Sequence, residues 1–285
     1  AEAMPELAAN EKSSSMNSVL GVLLRQGAYR LHQLKSDKKE GTIVAAKQEI
    51  LDQVYRILVL HLGEPVSTFS FRHKVKDEKG DMVWTPYQDY TPQSFAQAFV
   101  KEDMGDYVMF ANWPARAYNT YYQWQYSNNV LEGTPMSFVN LPMEQIREMM
   151  IASLKGGEPV NFSADVGKQL DRKRGIMHPQ LYPYDQIYGV PLQLEKKRDS
   201  LLGNINSTHA MVITGVDLKG EKPLKWKVEN SWGSDSGHKG FYAMYDPWVD
   251  LFVVRVVIHK RFVPEKILKL LNTRAQVLPF YESEQ

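Results

Sequence analysis

The sequence predicts an α+β protein in which helices come first and strands come last. Apolar residues recur at three- and four-residue steps through roughly the first sixty positions, the spacing of amphipathic helices. After residue 160 the apolar residues gather into short strand-sized runs, and no internal repeat or low-complexity tract interrupts the chain. At 285 residues, with 43% hydrophobic and 24% charged side chains, the chain is long enough to bury a full core as one large domain or two modest ones.

The elements follow in order. Ser13, Ser14 and Ser15 offer N-cap hydroxyls to a first helix carrying Leu20, Leu23, Leu24, Gly27, Leu31 and Leu34 on one face. A polar loop at residues 36–41 leads to a second helix striped by Ile43, Ala46, Ile50, Val54, Ile57 and His61, which Gly63 and then Pro65 end. These stripes read as packing faces, and His32 and His61 at their edges as packing or surface residues. Residues 69–84 are short and mixed, with a hairpin-like turn at residues 77–81, and Thr91 caps a helix that starts at Pro92. A strand is expected at residues 107–111. The aromatic, Asn-rich stretch 118–129 is too irregular to assign. A helix through Ile146, Met149, Met150 and Leu154 closes at Gly156 and Gly157. Strands are expected at residues 160–164, 210–216, 224–229, 240–245 and 251–258, forming an antiparallel sheet or barrel. The basic stretch Lys196, Lys197 and Arg198 reads as a solvated loop.

Composition excludes several classes of partner. A net charge of +1 gives no reason to expect nucleic acid or an anionic membrane. No apolar run approaches the length needed to span a bilayer. The absence of cysteine excludes disulfides and thiolate metal sites, and together with opening residues that lack a secretory core it points to the cytoplasm.

One constellation carries chemistry. His209 opens the strand after Ser207 and Thr208, and Asn230 opens a turn within Val228-Glu229-Asn230-Ser231-Trp232-Gly233. A lone histidine before an apolar strand is commonly a satisfied core residue; its company changes the reading. An imidazole can take the proton of a thiol, hold the thiolate as an ion pair and protonate a leaving amine. An asparagine carbonyl can fix the second ring nitrogen without adding a charge. Trp232 could cover that bond and exclude water, and Gly233 and Gly240 supply tight turns.

These residues resemble the second half of a papain-like cysteine peptidase: THAMVITGV at residues 208–216, KWKVENSWG at 225–233 and GHKGFY at 237–242. More narrowly the chain resembles the bleomycin hydrolase and aminopeptidase C branch, through residues 14–20, 54–58, 90–95, 165–168, 228–233 and 278–280. The resemblance implies a papain-like fold with residues 1–66 as an inserted helical region, 67–140 as a connecting mixed region, and 141–285 as a β-barrel subdomain with a C-terminal tail. It implies an aminopeptidase acting on peptide N-termini without metal or organic cofactor, in a cytoplasmic homohexamer. His209 matches the catalytic histidine, Asn230 the residue that orients it, and Trp232 a supporting residue.

Two departures qualify this expectation. The nucleophilic cysteine and the glutamine before it have no counterpart, so the N-terminal helical subdomain is expected to be missing and the chain inactive alone. Either the chain is a fragment that needs the missing segment as its partner, or it is a non-catalytic structural relative. The tail at residues 280–285 also differs from the small apolar ending of the family, which leaves a papain-like endopeptidase as an alternative. Asp165 and Tyr182-Pro183-Tyr184-Asp185 are candidates for lining the cleft, with a structural role equally open.

Overall fold

Helix-forming stripes and β-branched runs sort the chain into two compact units that divide between Lys101 and Glu102. The computed structural model describes residues 13–128, 130 and 132–279.

The first unit holds the predicted helical pair. Helices α1 (Ser14–Ser36) and α2 (Ile43–Leu62) meet where Gly27 faces Ile50. A Cβ at Gly27 would lie 2.9 Å from Ile50 Cδ1, so glycine is what lets the backbones approach. Ser13 occupies the cap position of α1 without a side-chain cap bond, and Gly63 ends α2 at φ +78°. Strands β1 (Phe69–Phe71), β2 (Lys74–Lys76), β3 (Met82–Trp84) and β4 (Gln88–Tyr90) form two antiparallel pairs, β1 with β4 and β2 with β3. Helix α3 (Pro92–Phe99) opens with the predicted Thr91 cap, reciprocated by Ser94. Phe71, Phe95 and Phe99 form an aromatic cluster around it.

The second unit is built on one mixed sheet. Its elements are β5 (Tyr107–Ala111), β6 (Thr120–Trp124), β7 (Ser137–Asn140), α4 (Met143–Lys155), β8 (Val160–Ala164), β9 (Leu170–Asp171), β10 (Ile176–Met177), α5 (Tyr184–Tyr188), α6 (Lys196–Leu201), β11 (His209–Lys219), β12 (Lys222–Glu229), β13 (Phe241–Tyr245), α7 (Asp246–Phe252), β14 (Val253–His259), α8 (Glu265–Leu268) and β15 (Gln276–Leu278). The eleven strands run in the linear order β15-β6-β7-β5-β14-β8-β11-β12-β13-β10-β9. Among the described residues no pairing closes this ladder into the expected barrel. The sheet is not purely antiparallel either, because β5 with β7, β10 with β13 and β15 with β6 are parallel. Parallel pairs need crossover connections, and residues 112–136, carrying β6, provide one for β7.

Several sequence expectations change here. The stretch 67–140 is not one connecting region: its first part stays with the helical pair, and β5 to β7 enter the large sheet. The unassigned segment 118–129 contains β6, whose alternate residues Tyr122 and Trp124 are buried against Phe138. Its polar intervening residues mask this two-residue period. In the predicted strand 251–258, Leu251 and Phe252 belong to α7, which Asp246 and Pro247 start and which buries Trp248, Val249 and Phe252.

The core forms between α4, α7 and the sheet. Ile146, Met149 and Met150 pack in the same core as Phe162, Ile213, Trp226, Val228 and Val256, all fully buried. Phe162→Ala is expected to cost about 3–5 kcal/mol by removing a fully enclosed ring; the urea midpoint reads it, and an unchanged midpoint would contradict this packing.

Lys196 corrects the solvated-loop reading. Its Nζ is buried and donates to Asn112 Oδ1 at 2.7 Å and to the Val253 carbonyl at 2.6 Å, tying α6 to β14 and to the residue following β5. Burial pushes its ammonium down to about 7 from the usual 10.5. Lys197 remains exposed, and Arg198 pairs with Asp199 at 3.0 Å. Between those two pH values the unfolded chain binds a proton that the native state does not, so this group makes stability rise with pH. Relative to Lys196→Met, the parent should gain about 1.4 kcal/mol per pH unit across that window, measured by denaturant melts. Parallel pH profiles would refute the assignment.

Candidate active site

The start of β11 is held before its first side chain emerges. Thr208 donates its backbone N–H and its hydroxyl to the Ala164 carbonyl at 3.1 and 3.2 Å, and the hydroxyl accepts from Val166 N at 3.1 Å. His209 then pairs with Ala164 in the β8–β11 ladder. On the other side of β11, Val212 pairs with Glu229, so β12 delivers Asn230 just past its end beside His209. The Asn230 N–H donates to the Gly240 carbonyl at 3.0 Å, and Gly233 and Gly240 take φ values of +82° and +87° in the loop between β12 and β13.

The two side chains meet. His209 Nε2 lies 2.8 Å from Asn230 Oδ1, in a half-buried position. Oδ1 also accepts from Ser231 N–H at 2.8 Å. Rotating the amide would set its NH2 group against the Ser231 N–H, so the orientation is determined, and Nε2 must donate. That tautomer leaves Nδ1 as the basic nitrogen for a reacting partner. Trp232 stacks on the imidazole with centroids 4.9 Å apart and planes 20° apart. The indole meets Tyr242 edge-on at 6.0 Å, and the Arg172 guanidinium lies 4.4 Å from its ring centre. A hydrogen bond screened from water by an indole is stronger than an exposed one.

Asp165 is buried and positions the approach to β11. Its Oδ2 accepts from Asn206 N at 3.3 Å and pairs with Lys168 at 3.1 Å. In the segment Tyr182 to Asp185, Tyr182 exchanges hydrogen bonds with Gln169, and its ring stacks on Tyr184. Among the described residues no hydrogen bond or ring contact joins that segment to His209 or Asn230. The tail at residues 280–285 lies outside the described residues. No group of three His, Asp or Glu side chains among the described residues is disposed to hold a metal ion. Arg172 had no sequence signal, because only the loop geometry brings it to Trp232.

Known proteins resemble this chain over nearly all of its length. The sequence profile of the Peptidase C1-like family matches residues 1–284. Aminopeptidase C of Lactobacillus delbrueckii subsp. lactis is 37% identical over 268 residues, covering 93% of this chain and 59% of its own length. Aminopeptidase W of the same organism is 35% identical over 281 residues, covering 99% of this chain and 63% of its own. The crystal structure of PepW from Lactobacillus rhamnosis HN001 superposes with a TM-score of 0.90 at 35% identity, over 99% of this chain and 64% of that one. The chain belongs to the Peptidase C1-like family, in its bleomycin hydrolase and aminopeptidase C branch. It spans less than two thirds of the length of these relatives.

The tautomer can be read directly. Nitrogen-15 NMR of the chain should show the neutral His209 ring protonated at Nε2, with that proton exchanging with solvent faster in Asn230→Ala. A ring protonated at Nδ1 in the parent would contradict the hydrogen-bond assignment.

Proposed function

We propose that this chain carries the histidine–asparagine half of a cysteine aminopeptidase that removes residues from peptide N-termini. The observation that carries this reading is the 2.8 Å bond between His209 Nε2 and Asn230 Oδ1 beneath Trp232, in a chain whose sequence has no cysteine. In this reading the thiol comes from polypeptide outside these 285 residues, on a helical subdomain that forms the other wall of the cleft. The unit carrying the large sheet supplies the wall that holds the histidine.

The reaction then divides between the two walls. His209 Nδ1 takes the thiol proton, and the thiolate attacks the carbonyl carbon of the first peptide bond. Asn230 holds the imidazole through Nε2 while the ring carries its positive charge, adding no negative charge that would trap the proton. The imidazolium gives its proton to the departing amine, and the same ring activates the water that hydrolyses the acyl-enzyme. Assembly as a homohexamer and a cytoplasmic location belong to the proposal through the family resemblance. Among the described residues, no helix is long and apolar enough to cross a membrane.

The pure chain should show no turnover of aminoacyl coumarin amides. Adding a cysteine-bearing N-terminal segment of an aminopeptidase C relative should restore thiol-reagent-sensitive turnover. His209→Ala should then lower kcat by about 10²–10⁴-fold, the usual worth of a general acid–base. Turnover by the pure chain would sink the half-site reading, as would a bound complementing segment that restores nothing.

A further inference from the structure

Arg172 lies against the Trp232 ring that stacks on His209, and its place is built rather than incidental. It lies in the turn between β9 and β10, which reaches the loop after β12 from the far side of β13 in the sheet order. The Arg172 carbonyl accepts from Gly237 N–H at 3.0 Å and from the Tyr242 hydroxyl at 3.5 Å, which locks the turn against that loop. Gly175, at the end of the same turn, has its carbonyl bonded to Ala243 N at 2.7 Å, and a Cβ there would collide with the Phe241 carbonyl at 2.8 Å. The side chain rests on Trp232 and donates Nε–H to Ser236 Oγ at 3.4 Å.

The guanidinium has no carboxylate partner among the described residues. Its neighbour Arg174 takes Asp171 at 2.6 Å, and Arg147 takes Asp246 and Asp250 at 2.9 and 2.6 Å. The donors of a guanidinium lie in its plane as a fork that fits a carboxylate, so resting on an indole, with Nε–H given to Ser236, leaves the two terminal nitrogens available. Arg172 is exposed, so a ligand can reach it.

We propose that Arg172, held on Trp232, binds the terminal carboxylate of the residue that leaves, so that the substrates favoured are dipeptides with a free C-terminus. The inference rests on the reading that His209 gives its proton to a leaving amine. That amine must sit within hydrogen-bond reach of the imidazole, and the remainder of the leaving group extends over the adjoining surface. Guanidinium and imidazole share the Trp232 ring as a neighbour, at 4.4 and 4.9 Å, and so lie within about 9 Å of each other. One residue of extended chain spans about 3.5 Å, and a hydrogen bond of about 3 Å at each end brings the total to about 9.5 Å. A leaving group of one residue therefore places its carboxylate at the fork; a longer extended one overshoots it.

Binding by the chain itself tests this without any thiol. The indole N–H of Trp232, identified by its loss in Trp232→Phe, is followed by NMR while glycylglycine or glycylglycinamide is added. The acid should shift the resonance at concentrations at least fivefold below the amide, and Arg172→Met should abolish the difference while Arg172→Lys keeps part of it. Equal response to acid and amide, an unchanged response in Arg172→Met, or no response to either overturns the proposal. In the thiol-complemented enzyme, Arg172→Met should raise KM for a dipeptide acid at least fivefold relative to its amide. Carboxylate-selective binding without turnover would reject the peptidase reading and leave the subsite standing; turnover without acid preference would do the reverse.

Discussion

The position of β11 between β8 and β12 is the constraint on which the candidate site depends. His209 is opposite Ala164 on one side, and the pairing of Val212 with Glu229 on the other sets where Asn230 emerges. A slip of one residue in either ladder would turn His209 to the opposite face and carry Met211 and Ile213 out of the core they now fill. Core packing therefore enforces the register that brings imidazole and amide together. Thr208 adds a second restraint by spending both its backbone and side-chain donors on the Ala164 carbonyl.

Beyond that register, short-range chemistry completes the arrangement. Asn230 Oδ1 accepts two N–H groups, which removes the choice of amide orientation and with it the choice of histidine tautomer. Trp232 lies against the imidazole, and the loop that carries it is pinned by bonds from Asn230 to Gly240 and from Gly237 to Arg172. Asp165 and Lys196 act one step further back. The first steadies the segment entering β11, and the second ties α6 to the Val253 carbonyl of β14 and to Asn112 after β5. Placing a lysine there has an energetic cost, because its charge is desolvated without a carboxylate within ion-pair distance among the described residues.

Much of the fold was legible because its signals are local. The stripe of Ala46 and Ile50, the Thr91–Pro92 cap and the Gly63 stop each follow from residues within one or two helical turns. What escaped involves residues distant in the chain. Tyr122 and Trp124 make a strand because Phe138 and Leu278 cover them, and nothing within the segment 118–129 announces that cover. Lys196 looks like part of a basic surface run until β5 and β14 close over it. The parallel pairings of β5 with β7 and β10 with β13 depend on crossovers whose direction no local pattern records.

The sequence by itself determined the class of the protein, the helix-then-strand order and the pairing of a histidine with an asparagine, because those are carried by residue type and spacing along one stretch of chain. Only the tertiary structure decided which imidazole nitrogen is held, which ring lies against it and which cation stands beside that ring. Those relations join β9–β10, β11 and the loop after β12, segments up to about sixty residues apart. Hydrogen-bond direction and ring stacking act over a few ångströms of space, whatever the distance along the chain.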